Sequence, residues 1–313
     1  MTPPAAPNPS FYFIGVTTQQ SSMNRIFPLW MEILGRPDIT LTGIDHAIHD
    51  DPQNYRDTVS RIKHDDSVVG GLVTTHKIDL FNAAEDLFDE VDAFAQVTRE
   101  VSCIAKRDGK LIAYALDPIS SGLTLTGIIG ERYFGRTGGH VLCLGAGGSA
   151  SAVMVHLLTR PHMADRPARF IAVDKSPQRL AHMRTIAAHY ASDVQLETVL
   201  STDANTNDDL LAALPPYSVV MNATGMGKDT PGSPLTDAAI FPQHGIVWEF
   251  NYRGERQFMQ QALRQADARQ LRVEDGWVYF IHGWTQVLFQ ALDMHMTPEL
   301  FTALDEAASS IRG

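Results

Sequence analysis

The run His140-Val-Leu-Cys-Leu-Gly-Ala-Gly-Gly-Ser-Ala150 constrains this chain more than any other stretch. The residues between His140 and Gly145 are apolar, as a buried parallel strand requires. A tight glycine turn follows, and Ala150 to Leu158 then reads as a helix with small residues on its first turn. Glycine at 145 and 147 permits positive φ and lets an anion approach the backbone, while the helix N-terminus offers unpaired N–H groups to a pyrophosphate. A glycine cluster alone is a weak signal. Strand, turn and helix in succession predict a dinucleotide grip built from Gly145, Ala146, Gly147, Gly148 and Ser149.

The rest of the chain is organised around that unit. At 313 residues two domains are expected, each able to bury a core. A net charge of −11 argues against a nucleic-acid surface, and no apolar run approaches the ~20 residues of a membrane span. The proline-rich start lacks a basic and an apolar region, so it reads as a flexible tail over residues 1–10 and not as a signal peptide. Cys103 and Cys143 sit in strand-like contexts, which predicts buried reduced thiols and a cytoplasmic protein. The 12 histidines are scattered, with no His-x-x-x-His or Cys-x-x-Cys spacing, so no metal is expected.

Strand-like runs at Phe11–Thr17, Ile39–Ile48 and Ser67–Thr74 alternate with helical ones at Asn24–Leu34, Tyr55–His64 and His76–Asp89. Val101–Lys106 and Leu111–Leu116 flank Asp108-Gly109, a hairpin signal. After the glycine turn, strands recur at Phe170–Val173, Val194–Val199, Ser218–Asn222 and Ile246–Phe250. This alternation predicts an α/β protein of two domains, each with a mostly parallel sheet. Residues 11–117 with 276–313 form the first, and 118–275 the second, a Rossmann domain entered through a hinge helix. The aromatic segment from Gly276 (Trp277, Tyr279, Phe280, Trp284) is expected to pack back on the first domain. A homodimer interface accounts for those rings equally well.

Several residues carry chemistry. Asp174 ends the strand after the turn, where a carboxylate accepts from a ribose 2′-OH and repels a 2′-phosphate, favouring NAD over NADP. It lies 29 residues past Gly145, beyond the usual ~20, an excess explained by the polar insertion Arg160–Arg169. Lys175 beside it is a partner for a phosphate and keeps NADP open. Asn222, Ala223, Thr224 and Gly225 follow another parallel strand, where small residues leave room for a nicotinamide ribose. Lys77 follows the strand ending at Thr74, and Asp117 follows the hairpin. An ammonium beside a carboxylate can bind a hydroxyl, relay its proton and steady an alkoxide during hydride transfer.

These residues and their order resemble the shikimate/quinate dehydrogenase family from about residue 11 to 295. The family pattern Gly-x-Pro-x-x-His-Ser-x-Ser-Pro corresponds to Gly15-Val-Thr-Thr-Gln-Gln-Ser21-Ser-Met23-Asn24, and Asn-Val-Thr-x-Pro-His-Lys to Gly71-Leu-Val-Thr-Thr-His76-Lys77. Arg99-Glu-Val-Ser102-Cys103 stands for Gly-Ala-Val-Asn-Thr, Ala115-Leu-Asp117 for Asn-Thr-Asp, and Asn222-Ala-Thr-Gly-Met-Gly227 for Asn-Ala-Thr-Pro-x-Gly-Met. Tyr252 matches the family tyrosine, and Asp275-Gly276 the start of the returning helix. The resemblance implies that Lys77 and Asp117 form a catalytic pair and that hydride passes between a ring carbinol and a nicotinamide. It also implies a substrate domain docked on a Rossmann domain.

The departures concern the substrate. Of two family serines that clamp a carboxylate only Ser21 remains, Met23 replacing the other; Gly71, Val73, Ser102 and Gly283 replace an Asn, a Thr, an Asn and a Gln. A carboxylate left without donors costs several kcal/mol, so shikimate and quinate are expected to be poor substrates. Replacement contacts are sought in Ser21, Thr75, Ser102, Tyr252, His282 and Gln286, with Thr18 and Gln20 as further candidates. The expectation is an NAD(P)-dependent dehydrogenase acting on a small polyhydroxylated, cyclic molecule. The competing readings are a ligand-sensing protein on the same scaffold and a two-domain amino-acid or one-carbon dehydrogenase.

Overall fold

The structure is a computed structural model that describes residues 8–228 and 230–312. It divides into two compact units, one running to Leu116 and resuming at Gly283, the other spanning Asp117–His282.

The first unit holds β1 (Ser10–Gly15), α1 (Met23–Ile33), β2 (Thr40–Asp45), α2 (Pro52–His64), β3 (Val68–Val73), α3 (Lys77–Ala84), β4 (Glu90–Val91), α4 (Ala93–Thr98), β5 (Cys103–Arg107) and β6 (Lys110–Tyr114). The strands form one sheet in the order β2-β1-β3-β5-β6-β4. Pairs β1/β2, β1/β3 and β4/β6 are parallel; β3/β5 and β5/β6 are antiparallel. The tail expected over residues 1–10 lies outside the described residues as far as 7, and Ser10 already opens β1. Asp108 and Gly109 take φ of 52° and 74°, as a tight hairpin with two left-handed residues requires. β2 ends at Asp45, short of the expected Ile48, because the Asp45 carboxylate turns to accept from Thr18 and His49 adopts a left-handed φ of 55°.

Helix α1 buries Met23, Ile26, Phe27, Trp30 and Met31, the spacing of one helical face. The core beneath α2 and α3 is built from Tyr12, Ile14, Tyr55, Val59, Ile62 and Phe81.

The second unit holds α5 (Asp117–Ile129), α6 (Tyr133–Thr137), β7 (Val141–Leu144), α7 (Gly148–Thr159), β8 (Arg169–Asp174), α8 (Pro177–Ala187), β9 (Gln195–Leu200), α9 (Ala204–Ala212), β10 (Val219–Asn222), β11 (Ile246–Glu249), α10 (Gln257–Leu263), α11 (Ala266–Arg269) and β12 (Arg272–Glu274). Its sheet runs β12-β11-β10-β7-β8-β9 with every pairing parallel. Strand order therefore reverses between β7 and β10, the doubly wound arrangement whose switch point accommodates ligands. On one face α5 crosses α7 where Gly122 lies under the imidazole of His156 and a Cβ would overlap that ring. Burial pushes the His156 pKa down to about 4, so it packs there as a neutral ring.

The chain closes with α12 (Trp277–Ala291) and α13 (Pro298–Ser309). Trp30 Nε1 donates to Leu304 O at 2.8 Å and fastens α13 to α1. Residues of α12 up to His282 belong to the second unit and those from Gly283 to the first. Trp277 and Phe280 pack on Tyr252, and Tyr279 packs on Trp248 and Phe250, all within the second unit. Trp284, on the first-unit portion of α12, packs edge to face with Phe13 at 4.9 Å. Both cysteines are buried and unbridged, and burial pushes their thiols well up. Among the described residues no helix is long and apolar enough to cross a membrane.

Candidate active site

In the second unit, β7 delivers the chain into the glycine turn. Gly145 sits at φ 109°, and a Cβ there would lie 2.6 Å from Ala223 O, so only glycine lets the turn lie against the Ala223–Thr224 backbone. Around a Cβ built on Gly147 there is nothing within 4 Å. Gly148 and Ser149 then open α7, whose first amides have no side-chain cap. The cradle has the open backbone and the helix N-terminus that a pyrophosphate needs.

Asp174 sits at the end of β8 and is 9% exposed. Its Oδ2 accepts from Ala146 N at 2.8 Å and its Oδ1 from Ser176 N at 2.8 Å, with Arg179 Nη1 4.0 Å from Oδ2. The carboxylate therefore pins the glycine turn to the start of α8. Lys175 and Arg179 are exposed on the rim beside it.

Asn222 closes β10 and is fully buried. Its Oδ1 accepts from Thr224 N at 3.2 Å and Thr224 Oγ1 at 2.6 Å, and its Nδ2 donates to Glu249 Oε2 at 2.8 Å. Glu249, also fully buried, accepts on Oε1 from Asn251 N at 2.9 Å and Asn251 Nδ2 at 2.7 Å. Both amide groups converge on Met226 O, at 3.3 Å from Asn222 and 2.9 Å from Asn251. Burial drives the Glu249 pKa up to about 7 against these donors. Gly225 and Gly227 take φ of 78° and 87° in the loop so framed.

In the first unit, the C-terminal ends of β1 and β3 bring together the loop 17–24 and the start of α3. Asp45 Oδ1 accepts from Thr18 N at 2.8 Å and Thr18 Oγ1 at 2.6 Å. Asn24 Nδ2 lies 2.9, 3.0 and 3.1 Å from the carbonyls of Thr18, Gln19 and Ser21. Ser21 Oγ accepts from Met23 N at 3.2 Å, and Met23 itself is fully buried at the base of α1. Thr75 is exposed and Lys77 half-buried at the first position of α3. Behind them, His76 Nδ1 meets Tyr55 Oη at 3.0 Å, and His46 bridges Asp50 and Thr58 at 3.0 Å each. His76 Nε2 is buried without a hydrogen-bond partner, and burial lowers that histidine's pKa.

The remaining candidates separate. Ser102 is buried, its Oγ accepting from Leu116 N at 2.8 Å and reaching Tyr114 O at 3.4 Å, so its hydroxyl ties the end of β6. Gln286 is half-buried on the first-unit portion of α12. Asp117 opens α5 in the second unit, where Tyr252 stacks on Phe280 at 4.5 Å. Burial pushes the His282 pKa down to about 4, leaving it uncharged at neutrality.

No family model matches the chain. A shikimate dehydrogenase (NADP(+)) of Symbiobacterium thermophilum is 31% identical over 196 residues, covering 62% of this chain and 61% of that protein. One of Methylocella silvestris is 26% identical over 295 residues, covering 93% and 94%. Among solved structures, quinate dehydrogenase from Corynebacterium glutamicum in complex with NAD superposes with a TM-score of 0.73 at 18% identity, covering 97% of this chain and 99% of the other. Ligand-free 5-ketofructose reductase of a Gluconobacter strain does so with 0.70 at 17%, again over 97% and 99%. The chain resembles the shikimate/quinate dehydrogenases in sequence and in fold.

Relative to that family resemblance, the structure gathers Gly145, Ala146, Asp174, Asn222, Ala223, Thr224 and Gly225 around one switch point. Glu249 and Asn251, which sequence reasoning passed over, complete the group. Their signal was present: a carboxylate ends the apolar run Ile246-Val-Trp in a strand buried on both sides, where an unpaired charge is too costly to stand alone.

Proposed function

We propose that this protein is an NAD(P)-dependent dehydrogenase of secondary alcohols, acting on a small polyhydroxylated substrate that need not carry a carboxylate. The observation that carries the reading is the glycine turn, jammed against Ala223 at Gly145 and open at Gly147, at the switch point of a parallel sheet. A bound nicotinamide would supply the hydride acceptor or donor. Gly145–Ser149 and the 222–225 backbone would hold it.

Lys77 and Asp117 are the proton-handling pair in this reading. The Lys77 ammonium would donate to the reacting oxygen, stabilise negative charge there and exchange its proton, and the Asp117 carboxylate is the second proton-handling group. Ser21 retains a hydroxyl proton to give, Thr75 and Gln286 are within reach of solvent, and Tyr252 and His282 remain candidates for an uncharged substrate. Thr18 and Ser102 have spent their hydroxyls on the fold. Loss of a carboxylate clamp is supported by Met23, whose side chain lies in the core. 5-Ketofructose, in the name of a protein of similar fold, is an uncharged polyhydroxylated sugar of that kind.

The expected preference for NAD is revised. Asp174 already serves two backbone amides, while Lys175 and Arg179 offer cations at the rim, which favours a 2′-phosphate and agrees with the NADP(+) in the names of both relatives. Two buried thiols suit a reducing, cytoplasmic setting. A screen of nicotinamide reduction by absorbance, across ketoses, polyols, inositols and hydroxylated acids with each cofactor, tests the reading. Tight binding of one of these compounds with no turnover on any would replace the enzyme with a ligand-sensing protein.

A further inference from the structure

Glu249 is a fully buried acid that the reaction outlined above does not use. Its three donors come from Asn222 and Asn251, and through Asn222 it reaches Thr224, whose backbone lies against Gly145. One carboxylate thus ties the ends of β10 and β11 to the loop that walls the glycine turn. We propose that Glu249 is a positioning residue whose ionised carboxylate holds residues 223–226 against the turn, and whose protonation releases them. The consequence for dinucleotide binding rests on the function proposed above; the hold itself does not.

The hydrogen-bond pattern dictates what a proton would do. Oε1 faces the main-chain N–H of Asn251, which cannot turn away, so the proton goes to Oε2. There it meets the Asn222 amide as donor against donor. Rotating that amide satisfies the new O–H but presents Nδ2 to Thr224 N, a second donor, and the contact that shapes the loop is lost. Nearby charges are few. Arg256 favours the ionised form and is itself paired with Asp275 at 2.9 Å; Glu274 on β12 lies beside Trp248 in register and pairs with Arg272 at 2.7 Å. Burial places the transition near neutrality, at about 7.

The test is hydrogen exchange at the Thr224 and Met226 amides of the full-length protein across pH, corrected for intrinsic rates, with NADP binding by calorimetry alongside. In the wild type, protection should rise about tenfold as pH passes upward through the transition, and NADP affinity should rise with it. Asn251→Ala removes a donor to the ionised form and should move the midpoint to higher pH. Glu249→Gln should leave both amides unprotected and NADP binding weak at every pH. Protection in the wild type that ignores pH overturns the hold, whether or not Glu249→Gln folds. Failure of NADP to bind at any pH, with the exchange transition intact, overturns the proposed function and leaves Glu249 as the holder of the loop.

Discussion

Replacing Asp174 separates two roles that one strand-end carboxylate could play. If it accepts from a ribose hydroxyl, Asp174→Ala weakens NAD and leaves folding intact. The structure predicts the reverse. Two backbone amides, Ala146 N and Ser176 N, each donate to it at 2.8 Å in a site that is 9% exposed. A buried donor stripped of its acceptor costs about 1–3 kcal/mol, so the pair together costs roughly 2–6 kcal/mol, set against a total stability of about 5–15 kcal/mol. Water entering the vacated space offsets part of this, giving an expected loss of about 3 kcal/mol. Asp174→Asn keeps one acceptor and should lose about half as much. Urea unfolding followed by tryptophan fluorescence measures the change, expected as a midpoint drop of about 1 M. Calorimetry on the folded variant should show NAD and NADP weakened alike, because the turn that both would use has lost its pin. Unchanged stability with selective loss of NAD would refute this reasoning and restore the ribose role.

Three further outcomes are expected. Arg179→Ala should weaken NADP about tenfold or more while barely changing NAD, the size of a charge-assisted hydrogen bond; equal loss for both would remove the phosphate role from the rim. Lys77→Ala should abolish turnover with dinucleotide affinity preserved, and weakened cofactor binding in calorimetry would show the lysine to be misplaced. The third concerns Glu249, whose pKa rises from 4.5 to about 7 on folding. Between those values the folded state binds more protons than the unfolded one, so this group's contribution to stability falls as pH rises and is constant above about 7. Glu249→Gln lacks that loss, so the stability of the variant relative to wild type should climb by roughly 3 kcal/mol across the window. His156 and His282 titrate in both proteins and drop out of the difference. A difference that is flat with pH contradicts the raised pKa.

The doubly wound unit was legible because its strands are continuous apolar runs and its turn is glycine-rich, signals that depend on local sequence. Strands of two or three residues, Glu90–Val91 and Arg272–Glu274, were not, since pairing with a neighbour is all that defines them. Nor was the destination of the aromatic rings at Trp277, Tyr279 and Phe280. Composition demands that they be buried but does not say against what. Asp174 shows the same limit at the site. Its position at a strand end was evident from sequence, and the Ser176 amide two residues on is a local partner, whereas the Ala146 amide lies 28 residues earlier and reaches it only in the fold.

The anchoring of the 17–24 loop has an evolutionary consequence. Its conformation is set from outside by Asp45 and from within by Asn24, which grips three carbonyls, while Gln19 and Gln20 project into solvent and Ser21 is only half covered. Ser21 Oγ accepts from Met23 N at 3.2 Å, so of the three it is Gln19 and Gln20 whose exchange leaves the loop's own hydrogen bonds in place. If the loop meets substrate as proposed, a lineage can exchange them freely and accept a different substrate with the same loop, at no cost to folding. That decoupling is a physical reason why a chain can keep a reaction's lysine and aspartate while its grip on the substrate changes beyond recognition.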